Sequence, residues 1–333
     1  MPLKVGLCYD LESDFPFSED APADANSEFD SARTIEGLKK AIHKAGYKLI
    51  DLGNYSEILK LGDKLKTTAD IIFNYTEGVK GRNREAQVPS YLEYLQIPFT
   101  GSDALTMAVT LDKVFTKQIL ISYKIPTAKY FSYSGEMLKN LKLDFPLIVK
   151  PRWEGSSMGI NADSVVKTKK ELIKRADFIV KQYKQPALVE EFIKGAEYTV
   201  PIIENNPPKS LIPIKVVLNG DEMGINVYHN SYIKADSTQS LDYIPLTQNR
   251  KLADRLSELA IRTYNTVNCL DLARVDFRVN DKGQIFVLEL NPIPALNTLD
   301  AMAISAKHMG LEFPKLIKKI IESALMRYKL KST

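Results

Sequence analysis

The sequence predicts an α/β protein that opens on a parallel sheet. Three observations predict it: an apolar run at Lys4–Tyr9, an amphipathic helical stretch behind it, and two further short apolar runs ending at Tyr75. Strands joined through helical crossovers lie side by side in an open sheet of βαβ type. The alternation restarts past Asp112, and 333 residues accommodate two or three domains at roughly 150 residues each.

The first helix carries Ile35, Leu38, Ile42 and Ala45 on one face, and Gly46 ends it. Tyr47–Leu52 and Ile71–Tyr75 read as the next strands. Between Cys8 and this helix, Asp10, Glu12, Asp14, Glu19, Asp20, Asp24, Glu28 and Asp30 fall in a segment without Lys or Arg. Such a segment is a solvated loop or a lid over a cationic ligand. Beyond Asp112, a helix at Lys113–Tyr123 stops before Pro126. A strand at Phe145–Lys150 then enters a glycine-containing turn, and Ala187–Glu191 is a strand running toward Gly195. The last third holds a strand pair, Ala273–Val279 and Gln284–Asn291, and a helix at Phe313–Tyr328.

Composition removes several function classes. Lys plus Arg number 45 against 41 Asp plus Glu, a net charge of +4. That excess is too small to argue for a nucleic-acid or anionic-membrane partner. With 44% hydrophobic and 26% charged residues the usage is globular. No uncharged stretch approaches the ~18 residues a spanning helix needs. The start, Met-Pro-Leu-Lys-Val, lacks an apolar signal core, so the expected location is cytoplasmic. Cys8 and Cys269 are the only thiols, which excludes a disulfide framework and a Cys-based zinc site. His43, His229 and His308 lie far apart and no G-x-S-x-G elbow accompanies them, so triad hydrolysis is not expected.

Two constellations carry chemistry. The turn Lys150-Pro151-Arg152-Trp153-Glu154-Gly155-Ser156-Ser157-Met158-Gly159 follows an apolar strand. Its glycines let backbone N–H groups approach an anion, its serines add donors, and Lys150 adds charge. It is neither a Walker A loop nor a Rossmann fingerprint, and a plain hairpin turn is the competing reading. In the strand pair, alternation sets Val275, Phe277 and Val279 on one face and Arg274, Asp276 and Arg278 on the other. In the partner strand, Phe286, Leu288 and Leu290 share the apolar face, and Glu289 and Asn291 the polar one. If Asp281–Gln284 form the turn, Asp276 lies opposite Glu289 and Arg274 opposite Asn291. Two facing carboxylates repel. A divalent cation removes the repulsion, and two carboxylates with an amide suit Mg²⁺ that also takes phosphate oxygens. The competing reading is a solvated polar face neutralised by its arginines.

With these residues in place, the chain resembles the ATP-grasp carboxylate–amine ligases, and within them the D-alanine:D-alanine ligases. The resemblance is carried by Pro98-Phe99-Thr100-Gly101-Ser102, Leu111-Asp112-Lys113, Val149-Lys150-Pro151, Glu154 to Gly159, Gly195-Ala196-Glu197-Tyr198-Thr199-Val200, Arg274-Val275-Asp276 and Leu288-Glu289-Leu290-Asn291, in the family's order. It implies a three-domain ATP-grasp fold, α/β at the N-terminal open parallel sheet and α+β in the ATP-grasp part. The implied divisions are an N-terminal substrate domain at 1–101, a central subdomain at 102–192, and a C-terminal subdomain with the metal site at 193–333. It also implies an acyl-phosphate route to an amide bond with ATP and two Mg²⁺ or Mn²⁺. Substrates would be small and amino-acid-like, with no nucleic-acid or membrane partner, and the assembly a homodimer.

By the same resemblance, Lys113, Lys150 and Lys234 would bind the phosphates and the Gly155, Ser156, Ser157 and Gly159 loop would close over them. Glu190 and Phe192 would offer backbone groups to adenine, and Glu197 would take the ribose. Asp276, Glu289 and Asn291 would hold the metals. Arg274 and the Ala295 N–H would stabilise a tetrahedral oxyanion, Ser156 would orient the second substrate, and Glu28 would hold an ammonium group. Three departures concern the substrates. The family's glycine-rich stretch after the first strand is replaced by the acidic segment, its His-Gly reads Glu77-Gly78, and its acceptor-binding serine falls on Asp300. Facing carboxylates repel unless one is protonated. The acceptor is therefore expected to lack a free carboxylate or to carry a cation; a shifted register would instead assign that position to Asn297 or Thr298. A true D-alanine:D-alanine ligase and a non-catalytic ATP-binding regulator of the same fold are the competing functions.

Overall fold

The computed structural model describes residues 2–15, 21–138, 141–218, 220 and 241–331. Among the described residues the strands form three sheets. The first is parallel, with β1 (Lys4–Tyr9) between β2 (Lys48–Gly53) and β3 (Ile71–Tyr75). Parallel strands bury both faces. One face packs on the helices Ala32–Lys44 and Phe313–Arg327, the other on a layer including Ile58, Leu65, Leu92 and Phe99. The Ser31 side chain starts the first helix by accepting from the Thr34 N–H, and Gly46, at φ +96°, lies just past its end.

The second sheet is antiparallel: β4 (Tyr130–Tyr133), β5 (Leu147–Pro151), β6 (Val165–Val166) and β7 (Ala187–Glu191) run in the order β4-β7-β5-β6. The helix Lys169–Tyr183 covers it with Leu172, Ala176 and Ile179. The third sheet holds β8 (Gly195–Ile203), β9 (Lys209–Ser210), β10 (Ile214–Leu218), β11 (Leu241–Pro245), β12 (Leu272–Asn280) and β13 (Ile285–Asn291), ordered β11-β10-β8-β12-β13 with β9 beside β8. The helix Arg250–Thr266 covers it with Leu256, Ala260 and Tyr264. No helix among the described residues is long and apolar enough to cross a membrane.

The β12–β13 hairpin departs from the regular ladder expected, and the departures cancel where it matters. The turn is tighter than Asp281–Gln284: Val279 faces Ile285 and the Asn280 N–H donates to Gln284 O at 3.1 Å. Past the Phe277–Val287 pair, a bulge at Leu288 restores the register, so Asp276 faces Glu289 and Arg274 faces Asn291. An extra residue also reverses the pleat on one side of the bulge. Ile285, Val287 and Leu290 therefore enter the core, in place of the expected set of Phe286, Leu288 and Leu290, and Leu288 turns into the cleft.

Candidate active site

A cavity of about 180 Å³ opens between the second and third sheets. Its floor is the polar face of β12 and β13. Arg274, Asp276 and Arg278 project into it while Val275, Phe277 and Val279 are buried behind. Asp276 accepts from Thr199 Oγ1 at 2.6 Å and from Arg274 Nε and Nη2 at 2.9 and 2.8 Å. Opposite it, Glu289 lies 3.5 Å from Lys113 Nζ. Burial alone would raise the Glu289 carboxyl, but Lys113, Lys150 and Arg274 draw it below the usual carboxylate range. Asn291 Oδ1 accepts from the Ile293 N–H at 2.9 Å. Among the described residues no three His, Cys, Asp or Glu side chains converge into a metal cage. Two carboxylates and an amide, all oxygen donors flanked by cations, instead fit a divalent ion that completes its shell with phosphate oxygens.

The phosphate end is built around one ion-pair group that sequence reading did not find. Glu190 was expected to act through its backbone. Its side chain, 2% exposed, instead bridges Lys150 at 2.6 Å and Lys117 at 2.7 Å. Burial would raise this carboxyl, yet the two ammonium groups hold it at about 2. Burial pulls Lys117 below its ordinary value despite the pair, whereas Glu190 and Glu289 outweigh burial at Lys150 and raise it. The available signal was Lys117 lying one helical turn after Lys113. The Phe192 N–H donates to Pro146 O at 3.1 Å, so that donor is already engaged, and Phe192 lines the cavity. Glu197 pairs with Arg278 at 3.0 Å, and that guanidinium lies 5.3 Å from the Phe192 ring centre.

The turn after β5 lines the cavity with Gly155, Ser156 and Ser157 but not with Gly159. Asp112 anchors its start: this buried carboxylate caps the helix Lys113–Ser122 and accepts from Arg152 and from Trp153 Nε1. Lys113 Nζ donates to Glu154 O. Two N–H groups expected to meet phosphate are already taken. The Gly155 N–H donates to Glu28 Oε1 at 2.5 Å, and the Gly159 N–H to Asp24 Oδ2 at 2.7 Å. A Cβ on Gly155 would stand 2.6 Å from that Glu28 oxygen. Ser156 and Ser157, which line the cavity, hold left-handed backbone at φ 45° and 59°.

The described part of the acidic segment is mixed: Glu12 and Asp14 are exposed, as in a solvated loop, and Asp30 lines the cavity. Asp10, Asp24 and Glu28 are buried against protein donors. Asp10 accepts from the Gly78 N–H at 2.9 Å, and burial pushes its carboxyl up to about 6. Both Glu28 oxygens are engaged, one by Gly155 and the other by Arg84 at 2.6 Å. Glu28 lines the cavity with both oxygens already bonded to protein donors. Glu77, Ala295 and Asp300 all line the cavity. Ala295 lies outside the left-handed region, so alanine is unstrained there. Asn297 donates to Asp300 and Thr298 is exposed, and Asp300 is the one of the three that lines the cavity. Lys234 lies outside the described residues.

Two sheets gripping a cleft, with opposed carboxylates on one and a lysine-flanked glycine-serine turn on the other, define an ATP-grasp ligase, an enzyme that forms C–N bonds at the expense of ATP. A family model described as "D-ala D-ala ligase C-terminus" matches residues 122–322. The chain belongs to the D-alanine–D-alanine ligase family. The D-alanine–D-alanine ligase of Aquifex aeolicus is 33% identical over 296 residues, covering 87% of this chain and 94% of that protein. An uncharacterized protein of Sinorhizobium fredii, y4sG, is 34% identical over 266 residues, 80% of this chain and 78% of its own. The crystal structure of the Bacillus anthracis D-alanine–D-alanine ligase matches with a TM-score of 0.78 at 25% identity, covering 98% and 99% of the two chains.

Proposed function

We propose that this ligase joins an amino-acid-like carboxylate to an amine acceptor that carries a cationic group in place of a free carboxylate. Lys113 and Lys150 hold the ATP phosphates, Ser156 and Ser157 face them from the turn, and Phe192 and Glu197 take adenine and ribose. A carboxylate is a poor electrophile until its oxygen attacks the γ-phosphate, releasing ADP and leaving an acyl phosphate. The amine then attacks the acyl carbon, and inorganic phosphate leaves. Arg274 and the Ala295 N–H face the oxyanion of that second step. Asp276, Glu289 and Asn291 would hold Mg²⁺, which when bound offsets the repulsion between the carboxylate and the triphosphate. A homodimer belongs to the same proposal and is read by light scattering.

One observation carries the ligase reading: Asp276 against Glu289 and Arg274 against Asn291, across one bulged hairpin in the floor of the cleft. The acceptor reading rests on the other end. There Asp30, Glu77 and Asp300 line the cavity around Tyr75, whose phenol burial and these three charges push well up. Burial, Glu85 and Glu28 likewise raise the Glu77 carboxyl far above its usual range, against the pull of Arg84. An ammonium group placed among these carboxylates relieves the crowding, whereas a second carboxylate adds to it.

Phosphate release, measured for amino acids and amines taken in pairs with ATP and Mg²⁺, tests both parts. Diamines or basic amino acids should support turnover at lower concentration than D-alanine. Dipeptide synthesis from D-alanine at low concentration overturns the acceptor reading and leaves the ligase standing. Amine-independent ATP binding without turnover across the screen overturns the ligase reading.

A further inference from the structure

We propose that Asp24, Glu28 and Arg84 are positioning residues that latch the phosphate turn onto the loops of the first sheet, holding Ser156 and Ser157 in the shape that receives the triphosphate; this rests on the ligase reading. Each end of the turn has its own anchor. At its start, the Arg84 guanidinium, 6% exposed, donates to Trp153 O at 2.8 Å and through Nη2 to Glu28 Oε2 at 2.6 Å, and pairs with Glu154 at 3.0 Å. Glu28 passes the restraint to the Gly155 N–H. At its end, Asp24 accepts from the Gly159 N–H with one oxygen and from Tyr183 Oη, at 2.8 Å, with the other.

The geometry has a physical purpose. Two consecutive non-glycine residues in the left-handed region, Ser156 and Ser157, strain the backbone. Without outside bonds the turn would relax. Charge-assisted hydrogen bonds at both ends offset that strain and fix the pair between them. Gly78, at φ +73°, allows the close approach this needs, because a Cβ there would stand 2.5 Å from Arg84 O. The latch therefore ties the loop that covers ATP to the loops that follow β1 and β3.

The chain reports on this directly, because Trp153 is its single tryptophan and opens the turn. ATP titration in the presence of Mg²⁺, followed by Trp153 fluorescence, should give a dissociation constant about tenfold weaker in Asp24→Ala, which loses the bonds from both Gly159 and Tyr183. Asp24→Asn keeps an acceptor for Gly159 and a partner for Tyr183, so it should recover part of the affinity. Tyr183→Phe, which removes one hydroxyl only, should fall between wild type and Asp24→Ala. An unchanged or tighter constant in Asp24→Ala, or Asp24→Asn no better than Asp24→Ala, overturns the latch. If the wild-type chain itself binds no ATP, the ligase reading fails instead.

Discussion

At the scale of single residues, Glu190 sets the electrostatics of the ATP end. It is the shared counter-ion of two buried lysines. Removing one partner of a buried pair typically costs about 3–5 kcal/mol, because a charge is left without compensation. Glu190→Ala should lose stability on that scale in denaturant titrations, and ATP affinity with it, since Lys150 loses its fixed position. The pH dependence has a definite sign. The folded carboxyl titrates at about 2, below its ordinary 4.5. Its contribution is complete above the unfolded value and is lost as the pH falls from 4.5 toward 2. Acid unfolding followed by circular dichroism should therefore be less steep in that window for Glu190→Gln than for the wild type.

The same residue shows where reading the sequence stops. Asp276, Glu289, Arg274 and Asn291 were legible because period-two alternation and one hairpin fix their mutual placement over a short stretch of chain. Lys117 and Glu190 lie far apart in sequence, and only the packing of the helix Lys113–Ser122 against the second sheet brings them together. Asp24, Glu28 and Arg84 were obscured differently. A run of carboxylates without counter-charge looks solvated, and nothing in it marks Asp24 and Glu28 as the members that Arg84 and a backbone N–H distant in the chain meet in the interior.

At the scale of elements, the bulge in β13 is the device that lets one hairpin serve core and cleft. Ile285 and Val287 face the core below it, and Glu289 and Asn291 face the cavity above it, with Leu288 absorbing the extra residue. Deleting Leu290, which is paired with Val275, would leave Glu289 opposite Asp276 but bring Asn291 opposite Val275, taking it off Arg274 and turning it toward the core face. The expected outcome is no turnover with the far-ultraviolet circular dichroism preserved. Turnover surviving the deletion would separate the chemistry from that register. The strand limits were readable from apolar runs; the bulge was not, because the turn and the extra residue compensate and leave the key pairs where a regular hairpin would put them.

At the scale of the whole molecule, chain order and spatial order part at the C-terminus. The helix Phe313–Arg327 belongs by sequence to the third segment, but Leu316, Ile317, Ile320 and Ile321 pack with Val5, Leu7, Leu38 and Ile42 in the core of the first sheet. Arg327 completes the join: its Nη2 donates to Asp271 at 2.7 Å and to the carbonyls of Phe99 and Gly101, and Asp271 has no exposed surface. Ile320→Ala should cost ~2–5 kcal/mol through the cavity it leaves. Its melting temperature should drop while its ATP affinity stays that of the wild type, because the helix is remote from the phosphate turn. Helical periodicity revealed the helix itself; its docking partner was invisible, since an apolar stripe does not say which sheet it meets.

That docking has a consequence for biosynthesis. Strands β1 to β3 leave the ribosome well before the helix that completes one side of them. Until Phe313–Arg327 emerges, that greasy flank has only the helix Ala32–Lys44 to shelter it, and its assembly waits on a stretch far downstream.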